Sequence, residues 1–150
     1  MKVLVAGAAG AIGRPLVPQL LAAGHEVAGT TRSETRAAAL RELGAEPVVV
    51  DLLDPAQARE AVQRTRPDVI VDQLTSLPQD YDLRRKDIYD ANDRIRSIGT
   101  AGLLDAAKDA GVRRYVVQSI AFLYEPEGGW VKSEDDRAWS DAPPRRRSRR

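Results

Sequence analysis

Three glycines near the start of the chain have a spacing that lets backbone atoms hold a phosphate group. Gly7, Gly10 and Gly13 form the pattern G-x-x-G-x-x-G. Glycine permits a tight turn at the first position, leaves bare backbone for a diphosphate at the second, and allows close helix packing at the third. The N-terminus of a following helix adds N–H groups and partial positive charge. The residues that we predict to contact a dinucleotide in this loop are Gly7, Ala9, Gly10, Ala11, Ile12 and Gly13.

The position of this loop makes it more informative than the pattern alone. Residues 2–6 are an apolar run typical of a buried strand, and residues 12–23 have apolar side chains at helical spacing. A glycine-rich turn between a strand and a helix is where α/β proteins bind a dinucleotide diphosphate. The alternative is that the three glycines serve packing only.

The second candidate position follows the second predicted strand, about 20 residues after the glycines, where sites for NAD usually have a carboxylate. This chain has Thr31-Arg32-Ser33 instead. The guanidinium of Arg32 and the hydroxyl of Thr31 or Ser33 could bind a 2′-phosphate. We therefore predict NADP as the preferred cofactor, with NAD as the other choice. In the alternative, Arg32 is a solvated turn residue and Glu34 binds the ribose.

The third candidate position is Asp51-Leu52, at the end of the third predicted strand. An adenine ring would lie beside this strand end, and the carboxylate of Asp51 could accept a hydrogen bond from its amino group. Ordinary turn and capping chemistry by Asp51 and Asp54 explains the same residues equally well. Both interpretations stay open.

Composition excludes several other kinds of chemistry. The chain of 150 residues has no cysteine and one histidine, so it has no disulfides or thiolate ligands, and a metal site would need carboxylates alone. We predict no metal site. Its apolar runs are far shorter than the roughly 20 residues that cross a bilayer, so we expect a soluble cytoplasmic protein without membrane contact.

The charge distribution argues against a nucleic-acid-binding face. Five arginines lie in the last six positions, and residues 1–144 contain 18 basic and 22 acidic residues. A nucleic-acid-binding domain usually has a concentrated basic patch, which this mildly acidic part of the chain does not have. The arginine run is typical of a solvated, disordered tail, with nonspecific contact to RNA, DNA or an acidic protein as the alternative.

The elements that must position these residues alternate along the chain. Strands are predicted at residues 2–6, 26–31, 46–50, 68–72 and 113–119, and helices at residues 12–23, 34–43, 56–64 and 84–110. This alternation predicts an α/β fold of the Rossmann-like, doubly wound type, with five parallel strands in the order 3-2-1-4-5 and helices on both faces. We predict one domain at residues 1–130 and a poorly ordered, arginine-rich tail at residues 131–150.

Three further residues are placed near the strand ends by this arrangement. Tyr81 and Arg85 follow the fourth strand, where they could contact a ligand or lie in a solvated loop. Asn92 lies on the apolar face of the fourth helix, so we predict that its side chain makes a hydrogen bond that ties this helix to the site.

Several segments together resemble a known family. They are residues 3–13 (VLVAGAAGAIG), 23–27 (AGHEV), 51–52 (DL), 99–107 (GTAGLLDAA) and 111–119 (GVRRYVVQS), with Tyr124 beyond. They resemble the short-chain dehydrogenase/reductase superfamily, above all its extended and atypical branches, the NAD(P)-dependent epimerase/dehydratase-like proteins. The resemblance covers residues 1 to about 129 and indicates the family rather than the substrate.

The resemblance implies an oxidoreductase or a sugar epimerase or dehydratase that acts on a small carbonyl compound or a nucleotide sugar. In such enzymes, serines at the end of the fifth strand contact the substrate, which implies this role for Ser119. A Y-x-x-x-K pair then supplies a general acid/base and holds the nicotinamide ribose. Here the residues four positions after the tyrosines are Arg85, Asp93, Ser119 and Gly128, so the chain contains no such pair.

We therefore expect a truncated chain that binds the cofactor but has weak or no activity alone. The alternatives are a non-catalytic nucleotide-sensing or scaffold protein, and a folded fragment without a ligand. If no further strand follows, the fifth strand is an exposed apolar edge, and self-association, for example as a homodimer, is expected there.

Overall fold

The computed structural model describes residues 1–77, 87, 89–120, 123–125, 127 and 129–138. Contacts divide the chain into two compact units, Met1–Gln118 and Ser119–Arg150. The first unit contains the sheet and the helices, and the predicted functional residues other than Ser119 belong to it.

The first unit is built on one parallel sheet. Its strands are β1 (Lys2–Ala6), β2 (Glu26–Thr31), β3 (Glu46–Val49), β4 (Val69–Asp72) and β5 (Arg114–Val117), in the order β3-β2-β1-β4-β5. The structure confirms the predicted order. The chain runs outward from β1 to β3 and then returns to the other side of β1, so a crevice forms at the carboxyl ends of β1 and its neighbours.

Helices cover both faces of the sheet, as predicted. They are α1 (Gly13–Ala22), α2 (Glu34–Glu42), α3 (Pro55–Thr65), α4 (Asp90–Arg94) and α5 (Thr100–Asp109). Because side chains alternate along β1, Val3 and Val5 pack with α1 and α2 while Leu4 packs with α3 and α5. This central strand is therefore buried on both sides, which is the cause of its continuous apolar run.

Two helices begin at side chains of types that are typical of N-caps. The hydroxyl of Ser33 accepts a hydrogen bond from the N–H of Arg36 at the start of α2. The carboxylate of Asp54 accepts the N–H of Ala56 at 2.9 Å, and Pro55 is the first residue of α3. These caps set where each helix starts relative to the preceding strand end.

In the described residues, the fourth predicted helix is not α-helical along its whole length. Between α4 and α5 lies a π-helical turn, Ile95–Gly99. Apolar spacing does not separate an α-helix from a helix with one wider turn, so this turn was not predicted. The predicted start of the helix, at residue 84, lies outside the described residues.

The fifth strand is also shorter than predicted. It ends at Val117 and not at Ser119, although the N–H of Gln118 still donates to the carbonyl of Asp72 at 3.0 Å. The apolar run also ends at Val117, so the predicted strand included two polar residues, Gln118 and Ser119, that lie beyond it.

In the second unit, Tyr124 and Ala138 form an antiparallel bridge. The N–H of Glu125 donates to the carbonyl of Arg137 at 2.9 Å, and the side chains of these two residues form an ion pair at 3.4 Å. Trp139 and the arginine run lie outside the described residues, so the prediction of a poorly ordered tail stays a prediction. None of the described helices has the length and apolar character needed to span a membrane.

Candidate functional site

The glycine loop is attached to both neighbours of β1. The N–H of Gly7 donates to the hydroxyl of Thr30 at 3.1 Å, and Thr30 is buried at the end of β2. On the other side, a Cβ added at Gly7 would lie 2.8 Å from the carbonyl oxygen of Gln73, which follows β4. Gly7 also has φ of +79°, a conformation that L side chains rarely adopt. Sheet contacts therefore hold the start of the loop in place.

The other two glycines of the loop have different surroundings. A Cβ at Gly13 would lie 2.4 Å from the carbonyl oxygen of Gly7, so the first turn of α1 packs directly on the loop. A Cβ at Gly10 would lie 3.1 Å from the same oxygen, and Gly10 is exposed and lines a cavity. Gly10 is thus the glycine with open space beside its backbone.

Two more features describe the remaining loop residues. The guanidinium of Arg14 donates to the carbonyl of Ala9 at 3.1 Å, and Ala9 lines the cavity beside Gly10. Ala11 and Ile12 are exposed and do not line the cavity. They immediately precede α1, so the N-terminus of this helix lies at the end of the loop.

The cavity has a volume of about 390 Å³ and extends across the carboxyl ends of the strands. Its basic end is formed by Arg32, which follows β2, and by Arg36 in the first turn of α2. Thr31 is buried beside them, and its hydroxyl accepts the N–H of Ser33 at 3.2 Å. Glu34, the alternative ribose ligand, does not line the cavity. Arg36 was not predicted, although it lies only four residues after Arg32.

An apolar section lies next to the two arginines. Leu52 and Leu53, which follow β3, line it together with Ile95 and Ala91 of the helix opposite. Asp51 does not line the cavity: its carboxylate accepts the N–H of Leu53 at 3.1 Å, which is turn chemistry. The adenine role of Asp51 stays a prediction.

The end of β4 forms the remaining wall. The buried carboxylate of Asp72 accepts the N–H of Leu74 at 2.9 Å and the hydroxyl of Tyr115 at 2.8 Å. Burial, followed by the hydrogen bond to Asp72, raises the pKa of Tyr115 far above its usual value. Leu74 and the next two residues line the cavity.

Asn92 connects this wall to the helix above it. Its side-chain oxygen accepts the N–H of Ser76 at 3.1 Å. The structure confirms the predicted hydrogen bond between the fourth helix and the site. Tyr81 and Arg85, the other candidates after β4, lie outside the described residues.

The end of β5 is attached to the same helical segment. The guanidinium of Arg96, in the π-helical turn, donates to the carbonyl of Gln118 at 2.6 Å. Ser119 is the next residue and is the first residue of the second unit. Its contact with a substrate stays a prediction.

Comparison with protein families places residues 7–143 in a family described as NAD(P)H-binding. The chain is 45% identical, over 95% of its length, to a 3-diazoavenalumate denitrifying reductase from a Streptomyces species, of which it covers 45%. Among solved structures it is similar to a Thermus thermophilus UDP-glucose 4-epimerase in complex with NAD, with 28% identity and a TM-score of 0.69 over 92% of this chain and 45% of the other.

A further solved structure, a putative NAD-dependent epimerase/dehydratase from Bacillus halodurans, has 28% identity and a TM-score of 0.69. That similarity covers 82% of this chain and 53% of the other. The chain thus spans about half the length of the proteins that it matches.

Proposed function

Because this chain belongs to the NAD(P)H-binding, epimerase/dehydratase-like family of extended short-chain dehydrogenases/reductases, we propose that its cavity binds NADP in preference to NAD. The observation that carries this proposal is the juxtaposition, in one cavity, of the bare backbone of Gly10 and the guanidinium groups of Arg32 and Arg36. A diphosphate and a 2′-phosphate are the anionic groups of NADP, and the two parts of the cavity match them.

The cavity fits the remaining parts of the adenosine half. The apolar section between Leu52 and Ile95 is suited to an adenine ring, because moving aromatic surface out of water is favourable. Thr31, Arg32, Asp51 and Leu52 remain the proposed contacts at this end, and the loop residues 7–13 those of the diphosphate. Arg36 is added to the proposed phosphate ligands.

The lack of a carboxylate directly after β2 supports NADP over NAD. A ribose with two hydroxyls is usually bound by an acidic side chain after β2. Here that position is Arg32, whose guanidinium would leave a 2′-hydroxyl without a strong acceptor but would form charge-assisted hydrogen bonds with a phosphate.

A bound nicotinamide ring supplies or accepts a hydride at its C4 atom. The residues of this chain would bind and orient that ring, and Ser119 would lie near a small carbonyl compound or a nucleotide sugar. No tyrosine here is followed by lysine four positions later. We therefore propose that the chain alone has weak or no turnover, since losing a general acid/base commonly costs about 10²–10⁴ in rate.

A non-catalytic nucleotide-sensing or scaffold role is the second candidate. The lack of a Y-x-x-x-K pair favours it, because cofactor binding would then be retained without proton transfer. In a sensor, a partner protein would bind differently with and without NADPH, whereas an enzyme would oxidise NADPH when given a carbonyl substrate. Pull-downs at saturating and zero NADPH separate the two.

A thermal-shift titration with NADPH and NADH tests cofactor binding itself. A ligand present at about 100 times its dissociation constant stabilises a protein by about 2.7 kcal/mol. We expect a higher melting temperature with both coenzymes and saturation at lower NADPH concentrations. An unchanged melting temperature at millimolar NADPH and NADH would reject both candidate functions.

A further inference from the structure

A second cavity in the first unit lies at the end of the sheet opposite the glycine loop. It has a volume of about 440 Å³ and is formed where α3 and α5 end and where β4 and β5 begin. Most of its lining is apolar and none of it is acidic; the lining residues are Val62, Gln63, Arg66, Pro67, Ala110 and Val112. We call this cavity the amino-end groove. An occupant of the groove would not displace a dinucleotide, because the cavity beside the glycine loop lies at the carboxyl ends of the strands.

Arg66, in the lining of the groove, has a backbone conformation that is unusual for its residue type. It follows the last residue of α3 with φ of +46°, and in the described part of the chain it is the one residue other than glycine with positive φ. The left-handed residues just after α1, α2 and α5 are Gly24, Gly44 and Gly111. This conformation is unfavourable for a residue with a Cβ, and the following Pro67 restricts Arg66 further. A glycine would end α3 with less strain, so the arginine side chain needs another explanation.

Two more arginines lie beside the groove. Arg113 and Arg114 line a smaller cavity of about 150 Å³, which adjoins the groove because Arg113 directly follows Val112. Arg66, Arg113 and Arg114 are exposed, and none of their guanidinium groups makes an ion pair or a hydrogen bond within the residues that the structure describes. Three guanidinium groups are therefore available to a ligand at this end of the sheet.

The acidic residues next to these arginines already have partners. Asp68 is the one acidic residue that lines either cavity, and its carboxylate accepts the N–H of Lys2 at 2.8 Å. The carboxylate of Asp109, which precedes the groove residue Ala110, forms an ion pair with Arg59 at 3.1 Å. This end of the sheet thus combines an apolar cavity with positive charge that the described residues do not neutralise.

From this arrangement we infer that the amino-end groove is a docking surface for an acidic segment of a partner protein, in which carboxylates flank an apolar side chain. The apolar side chain would lie against Val62 and Val112, and the carboxylates would pair with Arg66 and Arg113. Guanidinium groups bind carboxylates through two parallel hydrogen bonds, and arginine is enriched among the residues that dominate protein interfaces. A nucleic acid fits less well, because residues 1–144 are mildly acidic and have no concentrated basic patch.

This inference does not depend on cofactor binding, since the two cavities lie at opposite ends of the sheet. It adds a partner of defined charge to the scaffold role that is the second candidate function. Binding at the groove should therefore be measurable in the protein without NADPH.

The test uses a short fluorescein-labelled peptide of alternating glutamate and leucine, with fluorescence anisotropy of the full chain at low salt. Arg66→Ala and Arg113→Ala should each lower the affinity about three- to tenfold, between the effect of an exposed ion pair and that of a buried charged hydrogen bond. Arg64→Ala is the matched control, because Arg64 is an exposed arginine in the last turn of α3 that lines neither cavity. Arg32→Ala is the control for binding at the basic end of the other cavity. Both controls should bind the peptide as the wild type does.

Two further probes distinguish the class of partner. A lysine–leucine peptide and a single-stranded oligouridylate should both bind more weakly than the glutamate–leucine peptide. Tighter binding of oligouridylate, with the same losses at Arg66 and Arg113, would assign the surface to a nucleic acid and overturn the inference. It would also be overturned by a glutamate–leucine peptide that does not bind, or whose affinity depends on Arg32 or Arg64 as much as on Arg66.

Thermal stability gives a second readout on Arg66. Arg66→Gly should raise the melting temperature by about 1–4 °C, because glycine adopts the left-handed conformation without strain, and should lower peptide affinity as much as Arg66→Ala. Arg66→Ala retains the Cβ and should not give this increase. A lower melting temperature for Arg66→Gly would show that the arginine stabilises the end of α3, and the inference would be wrong.

Discussion

The hydroxyl of Tyr115 on β5 donates a hydrogen bond of 2.8 Å to the buried carboxylate of Asp72 at the end of β4. The other oxygen of that carboxylate accepts the N–H of Leu74, a residue of the cavity wall. The pair therefore connects the edge strand of the sheet to the candidate site.

Tyr115→Phe should destabilise the folded protein by about 1–3 kcal/mol, because a buried carboxylate loses one of its two partners. Urea unfolding near neutral pH measures this change. Tyr124→Phe, at a tyrosine of the second unit, is the control. A Tyr115→Phe protein as stable as the wild type would show that this hydrogen bond does not contribute to the free energy of unfolding.

The same pair makes stability depend on alkaline pH. The pKa of Tyr115 is raised in the folded state from its ordinary value of 10.0. The unfolded chain therefore releases this proton first, so the contribution is complete below pH 10 and decreases as the pH rises above it. We expect the free energy of unfolding to fall more steeply above pH 10 in the wild type than in Tyr115→Phe. Parallel curves would contradict the assignment.

The basic end of the cavity sets the expected cofactor preference. Replacing Arg32 or Arg36 by alanine should lower the affinity for NADPH by about 10- to 100-fold, since a hydrogen bond to a charged group contributes about 1.5–3 kcal/mol. The affinity for NADH should fall far less because NADH has no 2′-phosphate. Calorimetric titration measures both affinities, with Arg41→Ala at the far end of α2 as the control. Equal losses for both coenzymes would exclude a 2′-phosphate contact.

Two substitutions in the glycine loop should distinguish an effect on cofactor binding from an effect on folding. Gly10→Ala places a Cβ 3.1 Å from the nearest atom, so the fold should survive while binding of NADPH falls by at least about tenfold. Gly13→Ala would place a Cβ 2.4 Å from a backbone oxygen and should cost about 1–3 kcal/mol or more of stability.

Gly102→Ala is the control for both glycine variants. Its Cβ would meet nothing closer than 3.6 Å, within α5, so it should leave binding unchanged and raise stability by about 0.5–1 kcal/mol. Thermal melts with and without NADPH separate the two effects. If Gly10→Ala binds NADPH with wild-type affinity, the loop is not part of the binding site.

Among the described residues, strand β5 is one edge of the sheet, and its Val116 and Val117 are 44% and 51% exposed. Unpaired backbone beside apolar side chains favours self-association, so light scattering should show a mass that increases with concentration. Val117→Lys should reduce this increase. Gln63→Lys, at an exposed position on α3, adds the same charge away from the edge and should not. A constant monomer mass at high concentration would contradict the prediction.

The alternation of strands and helices and the starts of α2 and α3 were predictable because they depend on local patterns, and the strand order then follows from the doubly wound topology. The Ser33 and Asp54 caps are visible as residue types before each helix. Asn92 could also be predicted, since an amide on an apolar helix face needs a partner.

Contacts between distant segments were not predictable in the same way. The hydrogen bond from the N–H of Gly7 to the hydroxyl of Thr30, and the one from Tyr115 to Asp72, depend on strand register, which the local sequence does not encode. The same holds for Arg66, whose left-handed backbone becomes notable only when the structure is known. Arg36 was missed because helical spacing alone does not show that its side chain turns toward the cavity.

The structure of the protein crystallised with NADPH is the most direct test of the central claim. We predict diphosphate oxygens within hydrogen-bonding distance, roughly 2.7–3.2 Å, of backbone N–H groups in residues 9–13. We also predict the 2′-phosphate beside Arg32. A cofactor bound elsewhere, or no cofactor at saturating NADPH in crystals with an open cavity, would contradict the account.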